Sequence, residues 1–286
     1  MTGSREARDI VVGIDPARAW KLPVAWAADE AYRRRLPLRL VLAVPPRHDS
    51  QHVDDTPRQN ALRREGTERL ELARDWVRGR HPEVAVDIDL RSGHAATVLV
   101  GTALHARTVV LGSRHLSRVA EVFDAGSLVV PVTAQAACPV VVVGDAEHIT
   151  QQPPYIVAGI DGSASSAAAL EFAFDEADLR NAAVLAVSVW QPPVFLLRDE
   201  EVALRAQRAL LAETTAGLSE KYPDVRLTHE VLVGHPVEEL ARAAEHALAV
   251  VVGRRGRGGY TGMRLGSVVH GLLHRAHCPV ITVPNV

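Results

Sequence analysis

The chain has 286 residues, 47% of them hydrophobic and 23% charged, with only 4% aromatic, so two domains of ordinary size are expected, their cores filled by Val, Ala and Leu. Its formal net charge of -2 supplies no bulk attraction to nucleic acid or to an anionic membrane, which makes any basic site a local feature. No run reaches the roughly 18 to 20 uninterrupted apolar residues of a membrane span, and MTGSREARDI carries charges where a signal peptide's apolar region would lie, so a cytoplasmic protein without nucleic-acid or membrane partners is expected.

The first predicted strand covers 9–14 and contains Ile10-Val-Val-Gly-Ile-Asp15. An amphipathic helix follows and closes on Arg33-Arg34-Arg35, where cations suit the helix dipole, a better reading than a nucleic-acid patch. A second strand is predicted near 38–44, then a polar loop, 48–59 with Asp54-Asp55, that edges a pocket or does nothing specific. Arg58 to Arg78 has apolar residues at helical spacing and should cover a sheet; strands near 84–90, 107–112 and 139–143 complete the set. Gly144 to Pro154 has neither helical nor strand period and ends in paired prolines, which marks a linker.

Beyond the linker the pattern returns, with strands predicted near 155–160, 183–189, 226–232, 249–253 and 279–283 and a helix over Asp199 to Lys221. Ile156-Val-Ala-Gly-Ile-Asp161 repeats the first strand, Ala186-Val-Ser-Val-Trp190 repeats Leu40-Val-Leu-Ala-Val44, and Val250-Val-Val-Gly253 repeats Val109-Val-Leu-Gly112. Gly266-Ser267 before Cys278-Pro279 keeps the spacing of Gly126-Ser127 before Cys138-Pro139. These matches divide the chain into domain 1 (1–146), a linker (147–154) and domain 2 (155–286). Strands alternating with helices imply βαβ units, hence an α/β protein with parallel sheets. The two cysteines, at equivalent places, read as buried structural thiols. His270, His274, His277 and Cys278 lie close in sequence, yet no acidic companion is near, and exposed helix histidines explain them better than a metal site.

Val250-Val-Val-Gly253-Arg-Arg-Gly256-Arg-Gly258-Gly259 continues through Gly262 and Arg264 to Gly266-Ser267. It runs from a buried strand, through a loop dense in glycine and arginine, into a helix expected to begin near Ser267, which could serve as N-cap or donate its hydroxyl to phosphate. Glycines allow close backbone approach, and a helix amino terminus offers unpaired N–H groups and a favourable dipole to an anion. Arg254, Arg255, Arg257 and Arg264 add local positive charge. Both this loop and Asp161 follow strand ends, where ligands bind in open parallel sheets.

At these residues both halves resemble universal stress protein domains, and the chain resembles a tandem member of that family. The motif Gly-x2-Gly-x9-Gly-Ser is met by Gly253, Gly256, Gly266 and Ser267. The resemblance implies two Rossmann-like domains, each an open five-stranded parallel sheet with helices on both faces. It also implies an adenine-nucleotide partner, ATP with Mg²⁺, in which the segment Gly159-Ile-Asp161 presents its Asp to the adenosine portion, Val187 falls where the backbone reads the adenine edge, Val268 follows the phosphate-binding Ser267, and Gly258 belongs to the nucleotide-binding loop. The first copy keeps Gly13, Asp15, Val41, Gly112, Gly126 and Ser127, but His115 replaces the second motif glycine and ten residues rather than nine precede Gly126. Asp15-Pro16-Ala17 also replaces Asp-Gly-Ser, so the first site should be the weaker.

A P-loop lysine and a general base are not evident, so the expected function is a non-enzymatic ATP-binding regulator of the stress response that an unknown protein partner reads. A slow ATPase or self-phosphorylating enzyme is the alternative, and a scaffold without nucleotide a third. The last strands of the two domains are short and apolar; by the resemblance they pair across a two-fold axis, which leaves pairing between the halves and a homodimer of whole chains both open.

Overall fold

A computed structural model describes residues 9–16, 19–46, 55–113, 128–144, 146–192, 200–256 and 265–285. These residues fall into two compact units, the first ending at Gly144 and the second beginning at Ala146.

In the first unit the elements are β1 (Ile10–Gly13), α1 (Lys21–Arg34), β2 (Leu38–Val44), α2 (Thr56–Arg80), β3 (Val86–Ser92), α3 (Ala95–Ala103), β4 (Thr108–Gly112), α4 (Val129–Gln135) and β5 (Val140–Val143). The strands pair in parallel in the order β3-β2-β1-β4-β5. Helices α1 and α2 pack together on one face, and α3 and α4 on the other. The strands are runs of branched aliphatic residues buried from both sides, as a parallel sheet demands: Ile10, Val12, Leu38, Leu40, Val109 and Val110 are all fully enclosed.

The second unit repeats this layout with β6 (Tyr155–Gly159), α5 (Ala164–Arg180), β7 (Ala183–Trp190), α6 (Glu200–Thr215), α7 (Leu218–Lys221), β8 (Leu227–Val233), α8 (Pro236–Ala243), β9 (Ala249–Gly253), α9 (Ser267–Arg275) and β10 (Val280–Val283). Its parallel order is β8-β7-β6-β9-β10. In each unit the chain order of strands reverses beside the first strand, between β1 and β4 or between β6 and β9. The strand ends there diverge into a crevice. The α/β class, the parallel sheets and the tandem layout agree with the sequence reading.

Three local expectations are corrected. The single helix over Asp199 to Lys221 is two helices, because Gly217 takes φ +82°, the left-handed region that breaks an α-helix and that glycine adopts at little cost. The polar stretch before Gln59 is already helical from Thr56, with proline at the start of α2, where its missing N–H is no loss; residues 47–54 lie outside the described residues. Gly266, not Ser267, is the N-cap of α9.

Cys138 and Cys278 are both buried and neither is in a disulfide. Burial pushes the Cys278 thiol up to about 12, against the lowering effect of its backbone hydrogen bonds, so it stays protonated and unreactive. Among the described residues no group of three or more His, Cys, Asp or Glu is arranged to hold a metal ion, and no helix is long and apolar enough to cross a membrane.

Candidate nucleotide site

The second unit holds a cavity of about 420 Å³ at the carboxyl ends of β6, β7 and β9, within the size range of small-ligand sites. Strand β6 ends at Gly159, where a Cβ would lie 2.9 Å from Val252 Cγ1 and 3.2 Å from Leu240 Cδ1. The chain then turns through Gly162 at φ +77°. Asp161 Oδ1 accepts from the Ser163 amide at 3.0 Å and from the Ser163 hydroxyl at 2.6 Å. The same hydroxyl oxygen accepts from the Ser166 amide at 3.1 Å and so caps α5. One serine thus starts the helix and fixes the carboxylate.

Gly253, at the end of β9, is pressed against the first turn of α5: a Cβ there would sit 2.5 Å from Ser165 Oγ and 2.6 Å from the Ser165 carbonyl carbon. Gly256 lies against the second oxygen of Asp161, which a Cβ would overlap. The loop closes where the Gly266 amide donates to the Arg254 carbonyl at 3.0 Å. In α9 the first backbone bond from within runs from the His270 amide to the Gly266 carbonyl at 3.0 Å. The amides of Ser267, Val268 and Val269 precede it in the first turn, where α-helices leave N–H groups without intrahelical partners. All three residues line the cavity, as does Arg255. Burial, and then the Arg255 guanidinium beside it, hold Arg254 below the ordinary arginine value. An anion here would relieve that repulsion and meet the positive end of the α9 dipole.

At the β7 end, main-chain bonds alternate between neighbours. The Val184 amide donates to Arg226 at 2.8 Å and the Trp190 carbonyl accepts from Gly234 at 3.1 Å, both toward β8. Ala183 and Val187 turn the other way, Ala183 donating to Pro154 at 2.9 Å and Val187 accepting from Ile160 at 2.8 Å. Val187 is thus committed to the ladder with β6, which corrects its expected role as the residue whose backbone reads a base. By the same alternation Val189 directs its N–H and C=O toward the β6 side, past the end of β6 at Gly159, and Val189 lines the cavity.

The structure therefore brings Gly159, Asp161, Val187, Gly253, Gly256, Gly266, Ser267 and Val268 around one cavity. Gly258, with Arg257 and Arg264, lies outside the described residues. Sequence reading missed Val189, Ser166, Gln207, Pro236 and Leu240, which also line it. Strand alternation could have flagged Val189; Gln207 is one polar residue on an amphipathic helix and carried no signal.

In the first unit Gly13 ends β1, Val41 lies in β2 with its carbonyl accepting from Ile14 at 2.8 Å, and Gly112 ends β4. Asp15 follows β1 as Asp161 follows β6. The turn after it differs: α1 opens only at Lys21, with Trp20 at the N-cap making no side-chain capping bond. A Cβ on Gly112 would meet the Pro23 ring at 3.2 Å, a looser fit than at Gly253. His115, Gly126 and Ser127 lie outside the described residues.

The model of the universal stress protein family matches the chain twice, over residues 6–144 and 155–284. A universal stress protein of Mycolicibacterium smegmatis is 34% identical over 99% of this chain and 99% of its own length. One from Mycobacterium tuberculosis is 33% identical over 98% of each. Among solved structures, a universal stress protein from Archaeoglobus fulgidus superposes with a TM-score of 0.70 at 14% identity, covering 97% of this chain and 96% of that one.

Proposed function

Because the chain belongs to the universal stress protein family as a tandem of two family domains, we propose that the second domain binds ATP and that the protein acts as a nucleotide-dependent regulator in the cytosol. The observation that carries this reading is the order of groups across three adjacent strands. Backbone amides of the α9 start and Arg255 stand beyond β9, the Asp161 carboxylate beyond β6, and the Val189 main chain at the end of β7. Strands lie about 4.8 Å apart, so β9 to β7 spans about 10 Å, the reach from phosphates through ribose to base. The cationic end suits phosphates, a carboxylate suits ribose hydroxyls, and an N–H beside a C=O complements the donor and acceptor of the adenine edge.

Asp161 is the only carboxylate among the described residues that line the cavity, and its Oδ1 is engaged by Ser163. Mg²⁺ would therefore enter with the phosphates rather than occupy a site of its own. ATP would stabilise the arrangement of the 253–256 and 265–269 segments by mass action, and a protein partner would respond to that state.

Substitution at Gly266 tests this. Gly266 has φ -69° and ψ 150°, which any residue adopts, and the nearest atom to a Cβ there is the Arg254 carbonyl oxygen at 3.3 Å, so a side chain requires that carbonyl to give by a few tenths of an ångström. Gly266→Glu should fold but bring a carboxylate to the phosphate donors. Calorimetry should show ATP affinity of the second site falling at least about 100-fold, which is ~2.7 kcal/mol. A folded variant with undiminished ATP affinity would falsify the reading.

A further inference from the structure

Two positions on the outer helices differ between the units in a way the glycine motif does not explain. The last β1–β2 pair is Gly13 with Val41 and the last β6–β7 pair is Gly159 with Val187, so Leu42 and Ser188 are the equivalent next residues. Over each lies the helix that follows, α2 or α6. In the first unit a Cβ on Gly66 would meet Leu90 Cδ1 at 2.9 Å and Leu42 Cδ2 at 3.1 Å, a close apolar fit. In the second unit Gln207 takes the place of Gly66, and its Oε1 accepts from the Ser188 hydroxyl at 2.7 Å. Four residues on, Leu70 and Leu211 are both fully buried, which fixes the two helices in the same register.

The hydroxyl–amide pair has a directional consequence. Ser188 is buried, so its hydroxyl must have a partner, and the Gln207 carbonyl oxygen provides it. That bond orients the amide, leaving the Nε2 donors turned away from Ser188 on a side chain that lines the cavity with Val187 and Val189. The position is at the β7 end, two strand spacings from the phosphate donors. A neutral, pre-oriented donor there suits an uncharged acceptor on a ring, not a phosphate.

We propose that Gln207, held by Ser188, reads the base: its Nε2–H donates to a ring-nitrogen acceptor of a bound purine, a contact the first unit cannot make because Gly66 and Leu42 replace the pair. This rests on the reading of the cavity as an ATP site. The geometry makes Gln207 a specificity-determining residue, since an ordered amide costs little to bind an acceptor and penalises a base that lacks one.

The test is calorimetric titration of the full chain and of Gln207→Leu and Gln207→Glu with ATP and with its 1-deaza, 3-deaza and 7-deaza analogues, each lacking one ring nitrogen. Gln207→Glu keeps the length of the side chain and the acceptor for Ser188, but offers the ligand no donor. The expected result is that Gln207→Glu and Gln207→Leu each lose about fivefold or more in ATP affinity. One deaza analogue should bind the unaltered chain weaker by a similar factor, and that penalty should vanish in Gln207→Leu. Should Gln207→Leu fail to fold, with Ser188 left unbonded, the Glu variant and its deaza series decide by the same criterion. ATP bound equally well by the altered chains, with every deaza penalty unchanged, would overturn the role of Gln207 and leave the ATP site standing. Absence of ATP binding by the unaltered chain would overturn both.

Discussion

Ser163 carries two duties through one oxygen, donating to Asp161 at 2.6 Å and accepting from the Ser166 amide at 3.1 Å. Ser163→Ala removes the side-chain cap of α5 and the hydroxyl bond to the carboxylate together, leaving only the Ser163 amide bond to Asp161. Chemical denaturation should show a loss of about 1 kcal/mol, typical of a removed N-cap. Calorimetry should show weaker ATP binding as Asp161 loses its preferred orientation. A stability loss with unchanged affinity would mean that the carboxylate is held in place by its other neighbours. Gly253 and Gly256, which close on it from the β9 loop, are required by contact rather than by φ. Gly253 and Gly256 are the places where any Cβ would strike Ser165 or Asp161, which is why the strand end, the helix start and the carboxylate can converge.

At the scale of elements, the two units repeat a buried ion pair. Glu30 in α1 pairs with Arg34, and Glu176 in α5 pairs with Arg180, each one turn apart just before a left-handed residue, Arg35 or Asn181, ends the helix. The Glu176 side chain is 1% exposed and that of Arg180 10%, so removing the carboxylate would leave a guanidinium in low dielectric without this counter-charge. Glu176→Ala should therefore cost about 3 to 5 kcal/mol in urea unfolding. Glu176→Met combined with Arg180→Leu should cost much less, since both charges go together. A single substitution no worse than the double one would show that the pair contributes little.

Helices α1 and α2 are also joined by Asp29, which accepts from Arg80 at 2.7 and 2.9 Å and contacts His81 Nε2 at 2.7 Å, with His81 stacked on Tyr32. Burial alone would raise the Asp29 carboxyl, but the bonds from Arg80 and His81 outweigh it and hold it below 3.8. A depressed folded-state value means the contribution is present above pH 3.8 and is lost as pH falls through the lower value. The stability gap between the unaltered chain and Asp29→Asn, followed by thermal unfolding, should be open at neutral pH and should close on the acid side. A gap that does not change with pH would refute this linkage.

For the molecule as a whole, one topology appears twice while the divergence gathers at the carboxyl ends of the strands. The second unit follows β6 with an anchored carboxylate and starts α5 at Ala164; the first follows β1 with Asp15-Pro16 and starts α1 at Lys21 without a side-chain cap. The hydroxyl–amide pair of the second unit is replaced by leucine and glycine in the first. We therefore expect titration of the full chain with ATP to show one strong event and one weaker by at least about tenfold, or ~1.4 kcal/mol. Two equal events would show that the first unit reaches the same affinity through a different set of donors.

Much of this protein was readable in the chain alone, because the signals were local. Strand-length aliphatic runs, the spacing from Gly253 through Gly266 to Ser267, and the returning Gly-Ile-Asp and Cys-Pro segments each depend on residues close together in sequence. These determined the two βαβ repeats and the strand ends at which a ligand would bind. Tertiary structure decided what depends on register and helix rotation. Whether Val187 or Val189 turns its backbone into the cavity is set by where β6 stops. Whether Gln207 faces Ser188 or solvent is set by how α6 lies on β7, since the two residues are 19 apart and no periodicity links them. Periodicity determines which face of an element is buried, but only the packing of distant elements determines which polar atoms meet there.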